Sequence, residues 1–452
     1  MLVTWLRSTA SLNARTSEQA RPLEQALLIV GVAALGFNLR GAITSLPPVF
    51  PELQDSLHLS TAAISVLAAT PVICFGVVSG FAAKLSRWLG EERVLLAALI
   101  ALAAGLLLRG AAPGAMLFPG TVLASSAIAV MNVLLSSLIK RRWPQRAGFL
   151  IGLYITALSV GAITGSLVSV PLWNATGGSV ALTLGWLAGP AALAALMWLP
   201  QVRHAARARA SSAPRSLPDA DSLDPDTDSL DQDGGQLAGS PAPAPAPASA
   251  QAQAPARIRR VAVYRHALAW QVTLFMGVQS LLYYAALSWL PTILRDRGES
   301  AATAGDLLAL MGVGNLAVSL IVPIAAQRMR AQYALVVPTV LAMAAGLAGA
   351  VYAPLGSAVI WVLILGAGQN AALSLAIFFT MARAPHPAAA ASLSSLAQSA
   401  GYLLASTGPL AVGLAHSATG SWNLPLMVLF GLTGVLLVAG LLAARPRVLP
   451  AT

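Results

Sequence analysis

The chain has 452 residues, 57% hydrophobic and only 10% charged, against about 25% charged in a soluble globular domain, so it reads as an integral membrane protein with the lipid bilayer as its partner. A net charge of +11 is compatible with nucleic acid, but the basic residues sit in short segments between long apolar runs. They therefore mark cytoplasmic loops, and no nucleic-acid partner is expected. The single cysteine, Cys74, lies in an apolar run; it excludes an internal disulfide and any multi-cysteine metal site and reads as a packing residue.

Residues 1–24 are expected to form a cytoplasmic tail; its opening apolar stretch, Met1 to Leu6, is too short for a signal-peptide core. Twelve helical spans follow, near residues 25–49, 60–83, 93–109, 115–138, 147–170, 179–199, 267–293, 304–326, 333–352, 357–381, 389–413 and 424–443. Each is close to the ~20 residues that cross a bilayer. They group as a six-helix bundle over 25–200 and a second over 266–444, with a cytoplasmic tail at 445–452. Between the bundles, residues 201–265 begin and end basic and carry seven aspartates and the run Pro241-Ala-Pro-Ala-Pro-Ala-Pro. Such a composition cannot bury a core, and a disordered cytoplasmic linker is expected. With both termini inside, 23 of the 27 Lys and Arg residues fall in cytoplasmic segments; Arg109, Arg295 and Arg297 fall outside, and Arg40 within the membrane. The opposite orientation reverses this bias, so the reading is N-in/C-in, in the cytoplasmic (inner) membrane.

Arg40 interrupts the first span, in Gly36-Phe37-Asn38-Leu39-Arg40-Gly41-Ala42-Ile43-Thr44-Ser45. Placing a guanidinium at bilayer depth costs at least ~2.5–3.5 kcal/mol, and an intramembrane charge marks a functional site by default. None of the 16 acidic residues falls within a predicted span, although Asp306 lies near the edge of the eighth. Arg40 therefore has no resident counter-ion at its depth, and an anionic or strongly dipolar small molecule is expected to supply one. The same absence leaves no carboxylate proton relay; His386 and His416 sit at helix ends. Asn38 and Thr44 accompany Arg40 on the first span. The other polar candidates are Asn132 on the fourth span, Gln279 and Tyr283 on the seventh, Gln369 and Asn370 on the tenth, and Gln398 and Tyr402 on the eleventh. The plain alternative for each neutral residue is an interhelical hydrogen bond, worth about 0.6 kcal/mol. No Gly-Lys-Ser/Thr phosphate loop, HExxH motif or His/Cys cluster occurs, so no ATPase activity, metal or cofactor is expected and the chain does not read as an enzyme.

The halves read as repeats. Ser45 and Pro48 match Ser288 and Pro291, Pro144 matches Pro387, Gly165 matches Gly408, and Ala175-Thr176-Gly177 matches Ala418-Thr419-Gly420, all at an offset of 243. Two six-helix repeats about an axis along the membrane normal describe the major facilitator architecture, with substrate near the midplane between halves. The offset makes Tyr283 the counterpart of Arg40, so the two are expected to face each other across a central cavity.

Phe37-Asn38-Leu39-Arg40-Gly41-Ala42-Ile43-Thr44-Ser45, Pro71-Val72-Ile73-Cys74-Phe75-Gly76, the stretch from Trp270 to Leu281 and Ala397-Gln398-Ser399-Ala400-Gly401-Tyr402-Leu403-Leu404 resemble the cyanate/nitroimidazole transporter (CynX/NimT) branch of the major facilitator superfamily. The chain departs from that pattern in having Gly41, where members often carry proline, and in lacking an Asp between Gly80 and Gly90. The resemblance implies transport of a cyanate-like anion or a nitro-heteroaromatic compound. The resulting expectation is a monomeric secondary transporter working by alternating access, anchored on Arg40. A proton-coupled multidrug exporter of the same fold, which needs a titratable group in the cavity, and a non-translocating receptor or scaffold are the alternatives.

Overall fold

The computed structural model describes residues 29–142, 147–211, 263–318, 321–329 and 332–450. The N-terminal tail and most of the predicted linker, 212–262, lie outside the described residues. Every regular element among the described residues is helical, as lipid requires of a chain whose backbone groups must find partners within their own segment.

The first span is built in pieces: α1 over 29–44, a 3-10 turn Pro47–Val49 and α2 (Phe50–Leu57). Pro47 and Pro48 lack the N–H that would continue the α-helix, so the chain turns there. Then come α3 (Thr61–Leu89), α4 (Glu91–Ala111), α5 (Pro113–Arg142) and α6 (Ala147–Ala175). The sixth span is α7 (Val180–Gly185) with α8 (Ala188–Ser211). The second half comprises α9 (Ala267–Asp296), α10 (Ala301–Val318) with α11 (Ile321–Arg328), α12 (Tyr333–Tyr352), α13 (Ala358–Ala382), α14 (Pro387–Thr419) and α15 (Asn423–Ala443). These make up the twelve expected spans. Side-chain caps mark several starts: Ser60 accepts from the Ala63 N–H, and His386 Nδ1 from the Ala389 N–H at the start of α14. The helix of the sixth span continues to Ser211, past the expected linker start at Gln201, through the good helix formers of Gln201-Val-Arg-His-Ala-Ala-Arg.

Within the first half, α1 crosses α6 backbone to backbone. A Cβ at Gly41 would lie 2.9 Å from the Gly161 carbonyl oxygen, and one at Gly161 would fall on the Phe37 carbonyl oxygen. Glycine at position 41 is thus a residue this crossing requires. The second half repeats this between α9 and α14, where a Cβ at Gly408 would stand 2.8 Å from the Leu281 carbonyl oxygen. Across the halves, α3 packs on α14 and α6 on α10. With 89% of its most apolar stretch buried, α9 is the most enclosed of the spans measured.

Three arginines close helix ends. Arg109, in the last turn of α4, is 1% exposed and turns inward, donating from Nη1 to the Ala42 carbonyl (3.2 Å) and from Nε to that of Leu184 (3.2 Å). These carbonyls belong to the last turns of α1 and α7, where the helix dipole favours a cation. Arg297 donates to the Ala350 and Ala353 carbonyls at the end of α12. Arg383 donates to those of Ala443 and Ala444 at the end of α15 and to Gln332 Oε1. The Leu449 N–H bonds the Arg383 carbonyl, so the chain after α15 is docked on the bundle.

Candidate functional site

A cavity of about 1130 Å³ lies between the halves, lined by α1, α3, α5 and α6 on one side and α9, α10, α13 and α14 on the other. It reaches from Arg40 and Thr44 to Ala384, Pro385 and His386, at the face of the bundle where α13 ends and α14 begins. Towards the opposite face Arg295 Nη1 holds Glu52 Oε1 at 2.8 Å and Oε2 at 2.9 Å, tying the second half to the first. An aromatic series behind this ion pair joins the halves further. Phe50 packs on Trp289 (6.2 Å between centroids), Trp289 on Trp422 (5.8 Å), and Trp422 stacks on His416 (3.8 Å).

Arg40 reaches the cavity from the middle of the first span. Its Nη1 donates to the Tyr283 hydroxyl at 2.8 Å, and its Cζ lies 4.9 Å from the centroid of that ring. This is the pairing anticipated from the 243-residue offset. Beside it Phe75, Tyr284 and Tyr402 form an edge-to-face cluster, with centroids 5.8 Å apart for Phe75–Tyr402 and 6.4 Å for both Phe75–Tyr284 and Tyr284–Tyr402. Tyr283 sits 5.0 Å from Tyr284, and Tyr154 completes the aromatic wall, donating its hydroxyl to Asn132 Oδ1 at 2.8 Å. Among the described residues, no Asp or Glu lines this cavity. A guanidinium with a planar donor fork and surrounding ring faces can hold a planar molecule that has an acceptor-rich end.

Nine of the ten residues expected at the site line this one cavity; Asn38 does not. Its Nδ2 donates to the carbonyls of Ala34 (2.8 Å) and Pro190 (3.3 Å), pinning α1 to α8. Thr44 lines the cavity, but its hydroxyl is engaged with the Ala162 carbonyl at 2.8 Å. Gln279 Nε2 donates to Ser280 Oγ, Asn370 Nδ2 to the Asn315 carbonyl and Gln398 Nε2 to Ser394 Oγ. Gln369 has no hydrogen-bond partner for either amide atom. Sequence reasoning passed over Phe75, Tyr154 and Tyr284 as site residues. Tyr154 carried a signal, since it is the one tyrosine in the first 200 residues. His386 also lines the cavity, at the end where α14 begins.

Twelve spans in two halves enclosing a polar and aromatic cavity define a membrane transporter of small molecules. The Major Facilitator Superfamily model matches residues 27–409, and the chain belongs to that superfamily. It is 35% identical over 422 residues to the Bacillus subtilis (strain 168) protein YycB, an uncharacterized transporter, covering 93% of this chain and 94% of that one. It is 32% identical over 422 residues to the 2-nitroimidazole transporter of Escherichia coli (strain K12), covering 93% and 96%. It is 26% identical over 396 residues to the cyanate transport protein CynX of the same organism, covering 87% and 91%. A bacterial homolog of the human lysosomal transporter Spinster, in an inward-facing and unoccupied conformation, shares the fold with a TM-score of 0.69 at 15% identity, over 93% of this chain and 97% of that one. The protein is thus a secondary transporter resembling the cyanate/nitroimidazole branch, and not an enzyme.

Proposed function

We propose that the protein works as a monomer in the cytoplasmic membrane with both termini inside, moving a cyanate-like anion or a nitro-heteroaromatic compound by alternating access, with Arg40 as the substrate anchor. The observation that carries this reading is the Arg40 guanidinium, which faces a cavity between the halves that no carboxylate lines among the described residues and meets the Tyr283 hydroxyl there. Gln279, Tyr283, Asn132, Gln369, Asn370, Gln398 and Tyr402 surround the bound molecule as neutral hydrogen-bonding groups. In this orientation the turn between α13 and α14 is cytoplasmic, so the cavity's reach towards it, with the Glu52–Arg295 pair closing the other face, corresponds to an inward-open state. The names of the Escherichia coli relatives support the substrate class.

The test is to measure thermal stability and ligand affinity on the same purified variants, using cyanate, nitrate, benzoate and 2-nitroimidazole as probes. A ligand that binds the folded carrier raises its stability by mass action. Arg40→Ala should fold and bind the best probe roughly 10- to 100-fold more weakly, since hydrogen bonds to a charged group contribute ~1.5–3 kcal/mol. Arg40→Lys should recover part of that loss, because an ammonium keeps the charge but not the fork. A stable Arg40→Ala that binds like wild type would remove the anchor.

A further inference from the structure

Gln369 is the unexplained group of the cavity. It lies midway along α13, is 2% exposed, lines the cavity, and leaves both Oε1 and Nε2 buried without a hydrogen bond. Buried amides are almost always paired, and the amides of Asn132, Gln279, Asn370 and Gln398 each have at least one protein partner. The backbone offers Gln369 no escape. A Cβ at Gly366 would fall on the Met311 carbonyl oxygen, and one at Gly368 would stand 2.8 Å from the Met343 nitrogen, so α13 is pressed against α10 and α12.

We infer that Gln369 is a specificity-determining residue that pairs with a protic group, a hydroxyl or a ring N–H, on a planar substrate whose anionic or nitro end is held by Arg40. The inference rests on the substrate reading above and narrows it. An amide presents one acceptor and two donors, and a hydroxyl offers the complement of both. Arg40 belongs to the first half and Gln369 to the second, with the rings of Phe75, Tyr284 and Tyr402 also on the wall. A ring bearing both groups therefore bridges the halves, whereas cyanate, with three atoms and no hydrogen, engages Arg40 alone. A ligand without the protic group leaves the amide unpaired, which is how a polar site rejects an analogue that lacks a hydroxyl.

The experiment compares matched pairs on the purified full chain: 4-hydroxybenzoate against benzoate, and 2-nitroimidazole against its N-methyl derivative. Wild type should bind the protic member of at least one pair about 10-fold more tightly or better. Gln369→Leu should bind both members of that pair within about twofold of each other, with a melting temperature equal to or above wild type, because it removes two unpaired buried atoms. Gln369→Met provides a second isosteric variant if the first does not fold. A preference kept in both variants, or a lowered melting temperature with the preference intact, overturns the inference and makes Gln369 a packing residue. Equal binding of both members of both pairs by wild type overturns the inference and leaves the substrate reading standing. Binding of none of the four probes overturns the inference, and if cyanate and nitrate also fail to bind, the substrate reading falls with it.

Discussion

Two arginines lie deep in the first half, and their surroundings separate their roles. Arg109 spends its donors on backbone carbonyls of α1 and α7, while Arg40 faces the cavity and a tyrosine hydroxyl from the other half. Arg109→Ala is expected to lower stability by about 3 kcal/mol through the lost charge-assisted bonds and the space left behind, with the probe affinity of the folded fraction unchanged; thermal melts and binding on one sample check both. Arg40→Ala should do the reverse. The sequence made Arg40 legible because no boundary lies near it. It left the burial of Arg109 unread because that residue stands at the end of an apolar run, where a long side chain ordinarily reaches for water. The fold of α7 back over that end is a tertiary event with no periodic signature. Asn38 stands outside the cavity lining for a related reason. Two residues from Arg40 along the helix, it lies on a different face, where the packing of α8 gives its amide the Pro190 carbonyl.

At the level of helices, hydropathy located the spans well. The expected 333–352 coincides with Tyr333–Tyr352, and 357–381 is within a residue of Ala358–Ala382. Helix ends were less legible, because hydropathy reports the thickness of lipid and a helix continues into water without changing its backbone. This is why α8 runs on to Ser211 and α14 to Thr419. The glycine crossing of α1 on α6 was also hidden, since a small residue in an apolar helix reads the same facing lipid or a neighbouring backbone. Gly161→Ala is expected to destabilise the folded protein strongly, by about 2 kcal/mol or more, as overpacking against rigid backbone does. Gly152→Ala, whose Cβ would meet nothing within 4 Å, should be neutral or slightly stabilising on the same helix. Comparing the two melting temperatures in one detergent checks the pair.

Across the whole molecule, the closed end depends on the Glu52–Arg295 pair and its aromatic backing. Reversing one charge, as in Glu52→Arg or Arg295→Glu, sets like charges together and should shift the population away from the state with this end closed. The double reversal should restore it. A partly exposed pair such as this supplies about 1 kcal/mol, so the single variants should change the equilibrium by a few-fold. Transport rate, together with the reactivity of an engineered cysteine on the cavity wall, measures that shift, and the double-mutant cycle isolates the pair from other effects.

Arg40 with Tyr283, and Glu52 with Arg295, are each separated by 243 residues, the offset that relates the two halves. A position that touches its own counterpart lies beside the rotation axis. In a two-fold dimer of identical halves such a position meets a copy of itself: an arginine would face an arginine at the centre, and a glutamate a glutamate at the rim, each pair repelling. Neither contact is open to a symmetric ancestor. Joining the halves in one polypeptide lets each axial position change independently of its twin, and both the central pair and the peripheral ion pair record that divergence.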